Sequence, residues 1–225
     1  MANNNTIQKL SSFNVYLLIP NLIGYFRGLL LVIAFCICFT YPYWFVVLYG
    51  TSQLLDGLDG YIARRMKQVS LYGAVLDMVL DRVSTTALLV ILSRFYPAYT
   101  RWIIVFMLLD VVSHFTHVYS SLLYGKKSHK AISYNQHWIL KLYYHHKTIL
   151  ATLCIGSEAY LLYLYIQHFR GKVDLAVYTT LSLTSLVFYV LGLIFFLKQI
   201  TNIIQLLQAI KDIVRLDSED SKRLS

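Results

Sequence analysis

The sequence predicts an all-α, polytopic membrane protein with six transmembrane helices and both termini in the cytosol. Three observations predict it. Of 225 residues, 57% are hydrophobic and 14% charged, a balance outside the usual range of soluble domains. Apolar runs near the length of about 20 residues that a spanning helix needs recur at about 20–40, 43–65, 74–95, 99–123, 147–168 and 175–199. With the N-terminus in the cytosol, only Arg94, Arg101, Arg170 and Lys172 of the 20 Lys and Arg residues fall on the far side, which is the asymmetry of the positive-inside rule.

Taken in order, Met1 to Leu10 has no basic segment followed by an apolar core, so it does not read as a cleaved signal peptide. The sequon Asn4-Asn5-Thr6 would stay unused on the cytosolic side. The first span carries Asn21 at its mouth and Arg27 within it. Cys36 and Cys38 lie too close in register to share a helix face, and Cys154 sits in the fifth span, so all three read as small buried apolar groups. Tyr41-Pro42-Tyr43, Pro97 and Gly171 mark tight turns on one side. The other side holds Met66 to Ser70, the longer polar stretch Gly125 to Lys147, and the tail. After the sixth span, Ile203, Ile204, Leu207, Ile210 and Val214 recur at helical spacing, which predicts a helical extension lying on the membrane surface or against a partner subunit. One membrane domain over 1–216 and a disordered polar tail over 217–225 complete the organisation.

The net charge of +9 is accounted for by a basic belt facing anionic headgroups. It calls for no nucleic acid, since no basic and aromatic interleaving of a nucleic-acid module is present. Many of the 19 tyrosines suit the headgroup zone, where the ring is buried and the hydroxyl stays wet.

The chemistry concentrates between Asp56 and Asp81. Asp56 and Asp59 are three apart, and Asp77 and Asp81 four apart, so on helices each pair projects from one face. A carboxylate at the centre of a membrane helix costs about 2.5 to 3.5 kcal/mol, so cations must offset the cluster. Four acidic oxygen donors suit two hard divalent ions, Mg²⁺ or Mn²⁺, which clamp a phosphate and polarise its attacking and leaving oxygens. Gly57 and Gly60 each disfavour the helix by about 1 kcal/mol relative to Ala, which points to a ligand approaching the backbone. Arg64, one turn beyond Gly60, is placed for a diphosphate.

The residues Asp56, Asp59-Gly60, Ala63-Arg64, Gly73, Asp77 and Asp81 match every fixed position of the signature D-x2-D-G-x2-A-R-x8-G-x3-D-x3-D. In this the chain resembles the CDP-alcohol phosphotransferases. Outside the signature, the stretches from Asn14 to Tyr25, Asp110 to His114, Ser128 to Lys130 and Leu153 to Glu158 resemble the branch of that family that uses inositol as acceptor. The resemblance covers most of the chain from Asn14 to about Glu158 and is only one of hydropathy beyond.

It implies a six-helix membrane bundle and transfer of the phosphatidyl group from CDP-diacylglycerol to myo-inositol, with release of CMP. Asp56, Asp59, Asp77 and Asp81 would hold two metal ions, Asp81 also acting as base. Gly60, Arg64 and Ser70 match the family's nucleotide-lipid contacts. Asn21 and Arg27 join that donor-binding set, with helix capping and snorkelling to the headgroups as their alternatives. An endoplasmic-reticulum membrane, an active site facing the cytosol and a homodimer are further implications of the resemblance.

Recognition of the acceptor falls on other residues. Asp110, Ser113, His114 and His117 share one face of the fourth span by their offsets, and polar groups in a span face the bundle interior or water. Inositol contact, a structural hydrogen-bond network and a metal site all suit them. Glu158 in the fifth span calls for a partner, with His or Arg expected. Lys130 in the loop between the fourth and fifth spans and Arg82 directly after Asp81 complete the inositol-binding candidates, topogenic charge being the alternative for the loop. Another acceptor, of the glycerol 3-phosphate, serine or choline type, would use the same signature. A membrane carrier would place its acids near the midplane and show repeat symmetry, and a non-catalytic scaffold would tolerate loss of an aspartate.

Overall fold

The computed structural model describes residues 12–127, 147–170 and 183–224. Every regular element among them is helical: α1 Ser12–Tyr16, α2 Ile19–Ile37, α3 Pro42–Arg65, α4 Leu71–Phe95, α5 Thr100–Lys127, α6 Lys147–Phe169 and α7 Leu183–Leu224, with a 3₁₀ turn at Pro97–Tyr99. The long helices overlie the apolar runs read from the sequence; the beginning of the last run, before residue 183, lies outside the described residues. The stretches Ile19–Ile37, Pro97–Leu123 and Thr184–Glu219 are long and apolar enough to cross a bilayer. α3 and α4 have the length, at 24 and 25 residues, but carry the acidic cluster and its flanking arginines. Large apolar side chains such as Val32, Trp102, Phe115 and Leu193 are exposed, as fits several apolar helices of a multi-pass membrane protein.

The chain divides within α4 into two compact units, Met1–Ser84 and Thr85–Ser225. In the first, α2 runs along α3. Pro20 and Pro42 stand in the first turns of these helices, where a missing N–H costs nothing. The α3 end is built for reversal. Gln68 N–H donates to the Ala63 carbonyl at 2.9 Å and Lys67 N–H to the Arg64 carbonyl at 3.4 Å, with Lys67 in the left-handed region at φ 54. This is a Schellman closure with lysine where glycine is favoured. The side chain of Gln68 then accepts a hydrogen bond from Ile19 N–H at 3.1 Å, tying the α3–α4 turn to the start of α2.

Gly24 and Gly28, four apart on α2, let α4 approach closely. A Cβ built on Gly24 would lie 2.8 Å from Leu76 Cδ2, and one on Gly28 3.3 Å from Leu80 Cδ2. Small residues at this spacing bring helix backbones together, and here they bring Arg27, on the same helix, within reach of α4.

In the second unit α7 packs on α5 and α6. At 42 residues and about 1.5 Å rise per residue, α7 is about twice as long as the roughly 30 Å hydrocarbon core requires. The expected surface extension is therefore the continuation of the last helix. Its apolar positions Ile203, Leu207, Ile210 and Val214 are exposed, while Thr201, Asn202, Gln205 and Ala209 are buried. Helix continues through Leu224, across the polar stretch whose composition reads as a disordered tail, with Arg215 Nε 3.0 Å from Glu219 one turn on. Of the cysteines, Cys38 is buried and Cys154 half-buried, but Cys36 is exposed, so burial of all three does not hold; a helix spanning lipid needs no protein cover on every apolar face.

Candidate active site

The four aspartates converge in the first unit, Asp56 and Asp59 from α3 and Asp77 and Asp81 from α4. At their centre is Arg27 of α2, only 1% exposed. Its Nη2 lies 2.5 Å from Asp56 Oδ1 and 3.0 Å from Asp81 Oδ1, and its Nη1 lies 2.6 Å from Asp59 Oδ2 and 2.9 Å from Asp77 Oδ1. The cation that the sequence requires is thus supplied in part by the chain itself. Arg27 is neither snorkelling nor peripheral: Ser52, fully buried on α3, donates its hydroxyl to the Arg27 carbonyl at 3.4 Å, which fixes the backbone from which the guanidinium extends.

The donor set fits divalent ions. Asp56, Asp59 and Asp77 each offer a carboxylate oxygen, all within 4.8 Å of one another, and hard oxygen donors at that spacing suit Mg²⁺ or Mn²⁺. Asp59 is buried while Asp56 and Asp77 are partly open, so the cluster has both a fixed floor and an accessible side. Asp81 sits at the edge, with Arg82 Nη2 3.8 Å from its other oxygen. One turn further along α4, Ser84 donates to the Asp81 carbonyl at 2.9 Å and accepts from Gln53 at 3.1 Å, a link between α3 and α4 just beneath the cluster.

Three glycines lie within the span of the signature, Gly60 and Gly73 at its fixed positions and Gly57 between its first two aspartates, and they do different work. A Cβ on Gly57 would meet nothing within 4 Å, so that backbone is open. Gly60 lies under its own neighbour: a Cβ there would be 3.4 Å from the guanidinium of Arg64, which folds back along the helix. Gly73 is required by packing, since a Cβ would stand 2.5 Å from Asn21 Oδ1 and 3.0 Å from Ser70 Oγ. Ser70 caps α4 by accepting from Gly73 N–H at 3.0 Å. Asn21 is not a helix cap, because α2 begins earlier at Ile19. It donates instead to the Val15 carbonyl at 2.6 Å, holding α1 to α2, and its buried Oδ1 has no hydrogen-bond partner in the structure.

The acceptor candidates belong to the second unit, apart from Arg82, and they form a different kind of arrangement. Asp110 and Ser113 are buried. Asp110 Oδ1 accepts from Asn202 of α7 at 3.3 Å, and Asn202 accepts from Lys198 Nζ at 2.7 Å. His114 Nδ1 lies 2.8 Å from the Asp110 carbonyl and 3.5 Å from its carboxylate. Ser113 donates back to the Asp110 carbonyl at 3.1 Å, and the His117 carbonyl accepts from Ser121 at 2.8 Å. Asp110, His114 and His117 do not group as a metal site among the described residues. Glu158 of α6 accepts a hydrogen bond from Thr85 at 2.5 Å, so a hydroxyl is among its partners. Lys130 lies outside the described residues.

Sequence reasoning missed the α7 side of this network, Lys198, Gln199, Asn202 and Gln205, all buried. Their 198, 202, 205 spacing inside an apolar helix was the available signal, because a polar stripe in a span faces protein. It also missed the Gly24-x-x-x-Gly28 pair that seats Arg27.

An all-helical, membrane-type chain that gathers four carboxylates at helix ends beside an open glycine backbone defines a metal-assisted phosphoryl-transfer class. The family described as CDP-alcohol phosphatidyltransferase matches residues 17–213, and the chain belongs to that family. Among curated relatives, a protein of Candida albicans named CDP-diacylglycerol–inositol 3-phosphatidyltransferase is 38% identical, the match covering 97% of this chain and 91% of the relative. Arabidopsis thaliana has one of the same name, numbered 1, at 41% identity over 93% of this chain and 94% of the relative. The Homo sapiens protein of that name is 37% identical over 92% of this chain and 96% of the relative. No solved structure gives a significant match.

Proposed function

We infer that this protein is a CDP-diacylglycerol–inositol 3-phosphatidyltransferase, making phosphatidylinositol and CMP from CDP-diacylglycerol and myo-inositol. The observation that carries the reaction type is the convergence of Asp56, Asp59, Asp77 and Asp81 on one point. The acceptor is carried by the names of relatives that match over nearly the whole chain.

Two divalent ions, Mg²⁺ or Mn²⁺, held by Asp56, Asp59, Asp77 and Asp81, would neutralise the diphosphate and polarise the phosphorus under attack. The chain's own groups do the rest. The CDP moiety lies against the open backbone at Gly57 and beside Gly60, with Arg64, folded over Gly60, as the bidentate partner of its phosphates and Ser70 and Asn21 at the neighbouring α2–α4 contact. Asp81 takes the proton of the attacking inositol hydroxyl, the new bond forms from that oxygen to the phosphorus bearing diacylglycerol, and the bond to the bridging oxygen breaks, so CMP leaves with the electron pair. Asp81 stands at the edge of the cluster, outside the tight Asp56, Asp59 and Asp77 group, which supports its role as base, since a carboxylate fully committed to cations could not accept a proton.

Asp110, Ser113, His114, His117, Lys130, Arg82 and Glu158 are assigned to acceptor recognition. Six spans, cytosolic termini, an endoplasmic-reticulum membrane with the active site facing the cytosol, a homodimer and a single membrane domain over 1–216 complete the reading. Support comes from six long helices in the expected places and from the basic residues that flank their ends. The test supplies purified protein with CDP-diacylglycerol, Mn²⁺ and separately labelled inositol, serine and glycerol 3-phosphate. Labelled phosphatidylinositol is the expected product; product from serine but not inositol overturns the assignment.

A further inference from the structure

We propose that Arg27 is an exchange cation: it holds the four carboxylates together when no metal is bound, and it competes with divalent ions for them, so that metal loading requires its guanidinium to withdraw. This role rests on the metal-dependent reading above.

Several observations converge on it. Arg27 is within 3.0 Å of a carboxylate oxygen of each of the four aspartates. Three of those residues, Asp56, Asp59 and Asp77, are the ones whose oxygens cluster tightly enough for an ion. A guanidinium and a divalent ion cannot both occupy the centre of that cluster, because cations at that separation repel and share the same lone pairs. Arg27 reaches all four aspartates through Nη1 and Nη2, while Nε has no hydrogen-bond partner. The side chain therefore has no inner anchor that withdrawal would break. Its backbone, by contrast, is held by the Gly24 and Gly28 contacts with Leu76 and Leu80, so the exchange is a side-chain movement rather than a shift of α2. Two guanidinium groups, Arg27 at the centre and Arg82 at the edge by Asp81, face four carboxylates, so the cluster is underneutralised, which keeps divalent ions attractive even with Arg27 in place.

The test measures Mn²⁺ binding to the full chain in lipid nanodiscs by electron paramagnetic resonance, without substrate. Wild type, Arg27→Gln and Arg27→Lys are compared, with Asp59→Asn as the variant that removes a ligand. Arg27→Gln should bind Mn²⁺ about tenfold more tightly than wild type, or more, equivalent to about 1.4 kcal/mol. Arg27→Lys should fall between, because a single ammonium cannot bridge four carboxylates as a planar fork does. Without metal, Arg27→Gln should melt below wild type, and Mn²⁺ should raise its midpoint further than it raises that of wild type. Folded Arg27→Gln that binds Mn²⁺ no more tightly than wild type overturns the proposal. Where Arg27→Gln cannot be purified without metal, Arg27→Lys decides in the same way. Absence of Mn²⁺ binding in all the proteins, wild type included, overturns the metal-dependent reading and this role with it.

Discussion

Replacing Gly73 by alanine separates packing from helix propensity at the heart of the signature. In the first turns of α4, Gly→Ala would by propensity alone stabilise the helix by up to about 1 kcal/mol. The new Cβ, however, would stand 2.5 Å from Asn21 Oδ1 and 3.0 Å from Ser70 Oγ, closer than side-chain carbons approach oxygen. Asn21 cannot yield cheaply, since it is 1% exposed and its amide donates to Val15 at 2.6 Å. Overpacking of a tight contact costs about 1 to 3 kcal/mol, and loss of the Asn21 hydrogen bond adds about 0.5 to 1.5 kcal/mol if the side chain is pushed aside. The clash wins, leaving a net loss of about 1 to 3 kcal/mol, or a fall of several degrees in melting temperature for a chain of this size. The assay is thermal unfolding in nanodiscs, followed by intrinsic fluorescence, for Gly73→Ala, Asn21→Ala and the double variant. The double variant should lose less than the sum of the two single ones, because removing the amide relieves the contact. A Gly73→Ala protein that melts at or above wild type refutes the reasoning.

Other outcomes follow from the same geometry. Gly57→Ala meets nothing within 4 Å, so it should keep or gain up to about 1 kcal/mol of stability while raising KM for CDP-diacylglycerol; unchanged kinetics would remove the ligand from that backbone. Asp81→Asn should fold and bind the nucleotide lipid but turn over about 100-fold more slowly or worse, as expected for loss of a general base, and near-normal kcat would end its role. Chelation with EDTA should abolish activity, Mg²⁺ or Mn²⁺ restoring it, as read by release of labelled CMP. Lys67→Gly, relieving a left-handed non-glycine residue at φ 54, should stabilise by about 1 kcal/mol without altering kinetics; a lower melting temperature would show the side chain to be needed.

The sequence by itself determined the helical membrane architecture and the reaction class. Long apolar runs leave the backbone no solution in lipid but the helix, and periodicity then places Asp56 with Asp59 and Asp77 with Asp81 whatever the packing. Three-dimensional packing decided what those charges meet. Nothing in the spacing of Arg27 relates it to aspartates on two other helices; it reaches them because Gly24 and Gly28 admit Leu76 and Leu80 of α4. Likewise the three glycines at 57, 60 and 73, alike in sequence, proved to be one open backbone, one shelf for Arg64 and one packing contact with Asn21. The buried stripe of Lys198, Asn202 and Gln205 was written in a helical period, but its partner Asp110 lies 92 residues away. Local order follows from backbone and periodicity, which are properties of neighbours in the chain. Pairing of charges across helices follows from which surfaces close-pack, and that only the folded chain decides.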